Sequence, residues 1–441
     1  IRNNRNHIKT SIMKRIILIV CVILLQHATF GYSQTNQESL FKACDSFAME
    51  PPIIKKVTDK KYTRKILDYG MTIGIERTPK GRIWNCWVGG GDNADAFFLL
   101  AWSDNDGKKW SDTKFVIDPH NNTLPFKRRT IVGQLWTDPL GRLWLFMDQA
   151  MTYFDGRAGN WYSICENPDA EDPVWSTPQY IGFGCSLNKP TVMSTGEWVL
   201  PVSLWPRSRM DILLERGWTA NPLREAHHEL DSVRGAHAFV STDQGKTWED
   251  RGFVQYPSPS FDEHQFIELQ DGRWWMTART GLGIYQSFSS DKGYSWSAPE
   301  LYSKHVNSRH FIRRLDSGAL LLVRHGMPDK KLKKRSHLRA FLSFDEGKTW
   351  HGNLLLDDRT GVSYPTGFQG PDGYIYISYD HQRTQLGEIY MAKFSEDDVL
   401  NEKIVSSKGY LKYLIFKPGR VKYSQANIEA RQKEKAKRKN K

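Results

Sequence analysis

Little in this chain could bind a metal, cross a membrane or cradle a phosphate. Five cysteines are scattered through 441 residues, too widely for a zinc signature, and no disulfide pairing can be deduced from them. The histidines, among them His227-His228, His264, His310 and His325, lack the spacing of convergent metal ligands. No glycine loop of the phosphate-binding kind occurs. The apolar run Ile16–Leu25 is ten residues long, about half of what a spanning helix needs. These absences point away from zinc-dependent, nucleotide-dependent and membrane-spanning proteins. No cofactor and no metal are expected.

Acidic residues are missing from the N-terminal end and sparse at the other. The formal charge is +13, but residues 1–33 and the tail Glu429–Lys441 each contribute five positive charges, leaving only +3 for the body. A basic character confined to the ends gives no ground for a nucleic-acid partner. Met13-Lys14-Arg15, the apolar run and Gly31-Tyr32-Ser33 read as an export signal, predicting a periplasmic or extracellular protein. Cleavage would leave Cys44, Cys86, Cys165 and Cys185. The expected divisions are 1–33 for upstream residues and signal, 34–65 for a leader, 66–415 for the folded body and 416–441 for a solvated basic tail.

What the chain has in abundance is aromatic side chains, 12% of residues with 16 Trp, a composition suited to packed sheets. Versions of the phrase Ser-x-Asp-x-Gly-x-Thr-Trp occur four times, at Ser103–Trp110, Ser241–Trp248, Ser289–Trp296 and Ser343–Trp350. In a hairpin turn the Asp carboxylate can accept from turn amides, Gly permits the backbone twist, and Trp folds apolar surface beneath. A second repeat places turn glycines before strand-like patterns at Gly81, Gly141, Gly196, Gly272, Gly318 and Gly373. Six such hairpins predict six four-stranded sheets arranged radially. Val174-Trp175-Ser176-Thr177-Pro178 reads as the remnant of a further box. The insertion Ser208–Leu230 is the expected rim loop or lid.

The boxes resemble the Asp-box repeats of the sialidase (neuraminidase) superfamily from about Ile66 to about Phe394. The resemblance implies an all-β, six-bladed β-propeller whose boxes lie away from the catalytic centre. It extends to several places that could carry chemistry. Asp92, in Gly89-Gly90-Gly91-Asp92, lies before the first box at an offset similar to that of the family's acid/base Asp, with Asp95 as a competitor. A Gly-flanked carboxyl on a loop can swing toward a leaving oxygen, although an Asp in a Gly turn is also ordinary turn chemistry. Glu263, in Asp262-Glu263-His264-Gln265-Phe266-Ile267-Glu268-Leu269-Gln270-Asp271-Gly272, resembles the Glu that deprotonates the nucleophile. Tyr364, in Gly361-Val362-Ser363-Tyr364-Pro365, resembles the Tyr nucleophile itself. Arg279 and Arg335 match carboxylate-binding arginines. The bland readings are a loop carboxylate, an inter-blade Tyr and surface arginines.

One departure stands out. Met71 falls where the family's first carboxylate-binding arginine belongs, with Arg128, Arg309 and Arg313 available to fill the space; of these Arg309 is taken as the substitute. The implied activity is retaining hydrolysis of a terminal, carboxylate-bearing sugar from a glycan or oligosaccharide by a monomer. Two alternatives remain open: the same fold acting on another acidic sugar or rhamnose, and a propeller that only binds glycans.

Overall fold

The computed structural model describes residues 38–212 and 220–420. The expected export signal, the terminal basic run and the middle of the 208–230 insertion fall outside these residues. The chain divides into two compact units at Met49/Glu50. In the first, residues 38–48 form a helix. The second holds six antiparallel sheets in chain order.

The first sheet runs Met71–Arg77, Ile83–Gly89, Phe97–Ser103 and Phe115–Ile117, its spatial order matching its sequence order. The third to sixth sheets repeat this meander from Thr191–Val192, Pro259–Glu268, Phe311–Arg314 and Val362–Gln369. The second sheet departs from the expected four strands. Beside Gly133–Thr137, Leu143–Met151, Gly159–Cys165 and Gln179–Phe183 it has a two-residue fifth strand, Arg128–Arg129, paired with the far end of Leu143–Met151. Each predicted turn glycine joins the first two strands of its sheet, all with φ between +76° and +100°. The innermost strand Met71–Arg77 packs beside both Gly133–Thr137 and Val362–Gln369, closing the ring. The result is a six-bladed propeller, which leaves few open sheet edges.

The boxes join the third and fourth strands of the first, third, fourth and fifth blades. In the third blade, Gly245 donates its N–H to Ser241 Oγ at 2.8 Å, while Asp243 accepts from Ser241 Oγ at 2.8 Å and from the Thr247 N–H at 2.9 Å. Gly245 has φ +85°, and a Cβ there would meet Trp144 of the preceding blade at 2.5 Å. The glycine thus serves both the turn and the blade contact. In the first box Asn105, not Asp, takes the carboxylate's place and accepts from the Lys109 N–H at 2.8 Å. The box remnant sits where expected: Ser176 donates its N–H to the Ile164 carbonyl at 2.8 Å, as Ser111 does to Trp102 and Ser297 to Phe288.

Apolar clusters fill the seams between blades. One joins Trp136, Trp144 and Phe146 to Trp198, Leu200 and Phe239, with box residue Trp248 half-buried against it. Another joins Ile75, Ile83 and Leu99 to Tyr376, Ile389 and Met391, so the first and last blades meet by side-chain packing. Fully burying a large side chain contributes roughly 1.5–3 kcal/mol, and these seams hold the blades in register. Cys44, Cys86, Cys165 and Cys185 are all buried, and Cys86, Cys165 and Cys185 are free thiols. No helix of the described residues is long and apolar enough to cross a membrane.

Candidate functional site

Antiparallel pairing decides which residues meet. The start of an innermost strand lies beside the end of the second strand, as in the pairs Asp262–Arg279 and Ser363–Asp380; in the third blade, whose innermost strand is short, the bridge Cys185–Ser203 takes that place. Those starts and ends, with the loops joining second to third strands, crowd one mouth of the central axis. The turn glycines and boxes occupy the opposite face. Asp92, Glu263, Arg279, Arg335 and Tyr364 all belong to the first set, so residues remote in sequence converge. A cavity of about 300 Å³ opens there, lined among others by Asp92, Arg279, Arg335 and Tyr364.

Two innermost strands carry left-handed backbone at this mouth. Register shifts flank Asp262 and follow Ser363, and Asp262, Glu263 and Tyr364 have φ of +53°, +44° and +57°. Left-handed backbone at non-glycine residues costs about 1–3 kcal/mol each. Here the bulges turn Glu263 and Tyr364 away from the regular pleat.

Glu263 is 1% exposed. Arg279 Nη1 donates to its Oε1 at 2.8 Å, and Arg279 Nε donates to Asn307 Oδ1 at 2.6 Å. Glu263 Oε2 makes no hydrogen bond of ordinary geometry, although the Tyr364 hydroxyl lies close enough to favour the charged form. Burial would push this carboxyl up, but Arg279, with Arg309 behind it, holds it below the usual carboxylate range. Tyr364 moves the other way: burial and the neighbouring Glu263 charge push its phenol up against the pull of Arg383 and Arg279. The resting proton therefore belongs to Tyr364.

Arg335 donates to the Asn307 carbonyl at 2.9 Å and to Ser363 Oγ at 3.1 Å. Burial, with Arg279 and Arg383 nearby, lowers its guanidinium to about 10. One residue, Asn307, thus holds both arginines.

The space left by Met71 is filled from another blade. Arg383 follows the second strand of the sixth blade, in a turn where the 385, 386 and 387 N–H groups converge on the Gln382 carbonyl. Its Nη1 touches Met71 Sδ, its guanidinium lies 4.0 Å from the centroid of the Tyr364 ring, and it is 3.9 Å from Asp92 and 3.5 Å from Asp380. Asp380 is fully buried, and burial, tempered by Arg383, raises its carboxyl to about 6.

The three arginines proposed from sequence to fill this space lie elsewhere. Arg128 binds the Pro119 carbonyl and Glu50. Arg313 lines a second cavity, of about 210 Å³, at the opposite end of the axis with Lys189 and Phe266. Arg309 lies behind Tyr364, outside the lining of the cavity, where it donates to backbone carbonyls. Each stands on a strand or loop edge whose direction the sequence does not reveal. A usable signal for Arg383 existed: Arg279 stands at the end of the strand that begins after Gly272, and Arg383 lies just beyond the strand that begins after Gly373. The two aspartates of this loop stand in different surroundings. Asp95 points outward to Lys127 at 2.7 Å and is half exposed, whereas Asp92 lines the cavity.

The rest of the wall has an aromatic and aliphatic part, Tyr153, Trp205, Phe261, Val132 and Leu187, and a polar part, Gln382, Thr384 and Gln385. Among the described residues no group of His, Cys, Asp and Glu could hold a metal ion. Such a site can bind an anion on one side and an apolar sugar face on the other.

Residues 81–377 match the model of a family described as BNR repeat-like domain. Among solved structures the chain is similar to the intramolecular trans-sialidase from Ruminococcus gnavus in complex with oseltamivir carboxylate. That alignment has a TM-score of 0.57 and 13% identity, covering 80% of this chain and 99% of that one. A protein of unknown function from Dyadobacter fermentans aligns at 0.51 with 16% identity, over 72% of this chain and 94% of that one. Trypanosoma rangeli sialidase in complex with the inhibitor DANA aligns at 0.55 with 14% identity over 77% of this chain, which spans 57% of the trypanosomal chain. At these identities the likeness is one of fold. No curated protein sequence matches the chain.

Proposed function

Because the chain belongs to the BNR repeat-like domain family and its axial mouth joins a buried Tyr–Glu pair to three arginines, we propose that it is a retaining exo-glycosidase. Its substrate is a glycan ending in a sugar with a carboxylate on the anomeric carbon. The observation that carries this reading is the convergence of Tyr364, Glu263, Arg279, Arg335 and Arg383 at one cavity.

The residue types follow from charge. Two unit charges 4 Å apart at a protein surface interact by about 4 kcal/mol, so an anionic nucleophile would be repelled by the substrate carboxylate. A neutral phenol avoids this. The guanidiniums of Arg279, Arg335 and Arg383 hold the carboxylate by charge-assisted hydrogen bonds. The Tyr364 oxygen attacks the anomeric carbon, and its proton passes to Glu263 as the new bond forms. Because the phenol is raised and the carboxyl lowered, this transfer runs with bond formation rather than before it. Asp92 protonates the departing glycosidic oxygen. It then takes a proton from water, whose oxygen attacks the same carbon; the Tyr364 oxygen leaves and recovers its proton from Glu263. Two displacements give retention.

A panel of aryl glycosides of acidic and neutral sugars tests the reading. Tyr364→Phe and Asp92→Ala should each lose about two decades or more of turnover on a carboxylate-bearing substrate. Full turnover in both variants, or equal hydrolysis of neutral sugars, would reject it.

A further inference from the structure

Arg309 is not part of the cavity wall, yet it adjoins the residues assigned to the chemistry. It is 1% exposed, with its guanidinium 4.8 Å from the centroid of the Tyr364 ring. Nη2 donates to the Tyr364 carbonyl at 3.2 Å, Nη1 donates to the Leu187 carbonyl at 2.8 Å, and Nε has no partner. Burial lowers this guanidinium against the opposing influence of Glu263, Tyr364 and Asp380. An arginine stays charged in a protein, and burying a charge without a close counter-ion is costly. An apolar side chain would fill this position without that cost.

The backbone and the charge each have a use for it. Its bond to the Tyr364 carbonyl holds the residue whose φ is +57°. The electrostatic role depends on which cations substrate can reach. Around the Tyr364 phenol stand Glu263 and Arg279 from the fourth blade and Arg335 from the fifth. Arg383 and Asp380 come from the sixth, Asp92 from the first, and Tyr69 and Tyr153 lie nearby. Arg279, Arg335 and Arg383 open on the cavity, so a bound carboxylate offsets their field. Arg309 lies behind the ring, where substrate cannot neutralise it.

We propose that Arg309 is a positioning residue that fixes the Tyr364 turn and stabilises the negative charge passing between Glu263 and the phenolic oxygen during glycosyl transfer. This rests on the reading of Tyr364 as nucleophile. The test compares Arg309→Gln and Arg309→Lys with the parent in three measurements: thermal midpoint, pH dependence of kcat/KM, and 13Cζ-tyrosine NMR titration of Tyr364, assigned by Tyr364→Phe. Losing the charge should raise the Tyr364 titration and the acidic limb set by Glu263 by about one unit. The same variant should lower kcat by roughly tenfold or more with little change in KM. Arg309→Lys should return the Tyr364 titration and the acidic limb toward the parent while the thermal midpoint stays low. If Arg309→Gln fails to fold, Arg309→Met fills the volume without charge and repeats the measurement. A lowered thermal midpoint with unmoved titration and limbs would reduce Arg309 to packing and overturn the proposal. A parent protein inactive on every carboxylate-bearing glycoside would sink the functional reading instead, and the NMR titration would still decide the effect of Arg309 on Tyr364.

Discussion

Arg383 offers the sharpest test of the site, because it reaches the cavity from a blade the sequence pattern does not assign to that role. A hydrogen bond to a charged group is worth about 1.5–3 kcal/mol, and each 1.4 kcal/mol is about tenfold. Removing this guanidinium should therefore cost about one to two decades of kcat/KM on a carboxylate-bearing glycoside. A single Arg383→Gln change confuses the result, since it leaves Asp380 fully buried with both oxygens lacking hydrogen bonds. Breaking a buried ion pair from one side costs about 3–5 kcal/mol of stability. Arg383→Gln combined with Asp380→Asn removes both charges and isolates binding. The assay is kcat/KM for the acid substrate, inhibition by the free sugar acid and by its amide, and a thermal melt. The double variant should melt near the parent, bind the acid about tenfold or more weakly, and bind the amide as before. Adding Met71→Arg should recover part of the loss by returning a guanidinium from the first strand. Equal weakening toward acid and amide, or an unchanged acid constant in a folded protein, would refute the assignment.

Three further outcomes follow. Asn307→Ala removes the side-chain acceptor of Arg279 but not the carbonyl that holds Arg335; KM should rise several-fold on the scale of one lost hydrogen bond, about 1 kcal/mol, with a smaller effect on kcat. Gly245→Ala places a Cβ at φ +85° and 2.5 Å from Trp144, so denaturant unfolding should show a loss of about 1–3 kcal/mol with substrate turnover retained. Burial pushes Asp262 up to about 6. A folded-state value above the unfolded one means the native protein holds that proton more tightly, so stability falls as pH rises from the unfolded value through about 6. Asp262→Asn should remove this loss, and its stability relative to the parent should improve by up to ~3 kcal/mol between pH 4 and pH 8; a pH-independent difference would refute it.

The repeats and much of the site were legible in the linear chain for a local reason. A box needs its Ser, Asp or Asn, and Gly within eight residues, because its hydrogen bonds close over four residues. The turn glycines mark the start of the second strand in each blade, and counting along that strand finds Arg279. Glu263 and Tyr364 were found by resemblance in short segments, although nothing local foretold that both stand in left-handed backbone. The five-stranded second sheet was not legible either, since Arg128–Arg129 pairs across an intervening strand.

The linear chain already carries a closed ring of six hairpin sheets, and resemblance picks out from it a phenol, two carboxylates and two arginines in family order. Folding alone brings Arg383 against Met71 and sets Arg309 beside the Tyr364 ring, outside the cavity lining. The reason is geometric. Hydrogen bonds along a strand are set by neighbours in the chain, but a cavity is filled by whichever side chain has the length and direction to reach it. Around a closed axis that side chain can come from any blade.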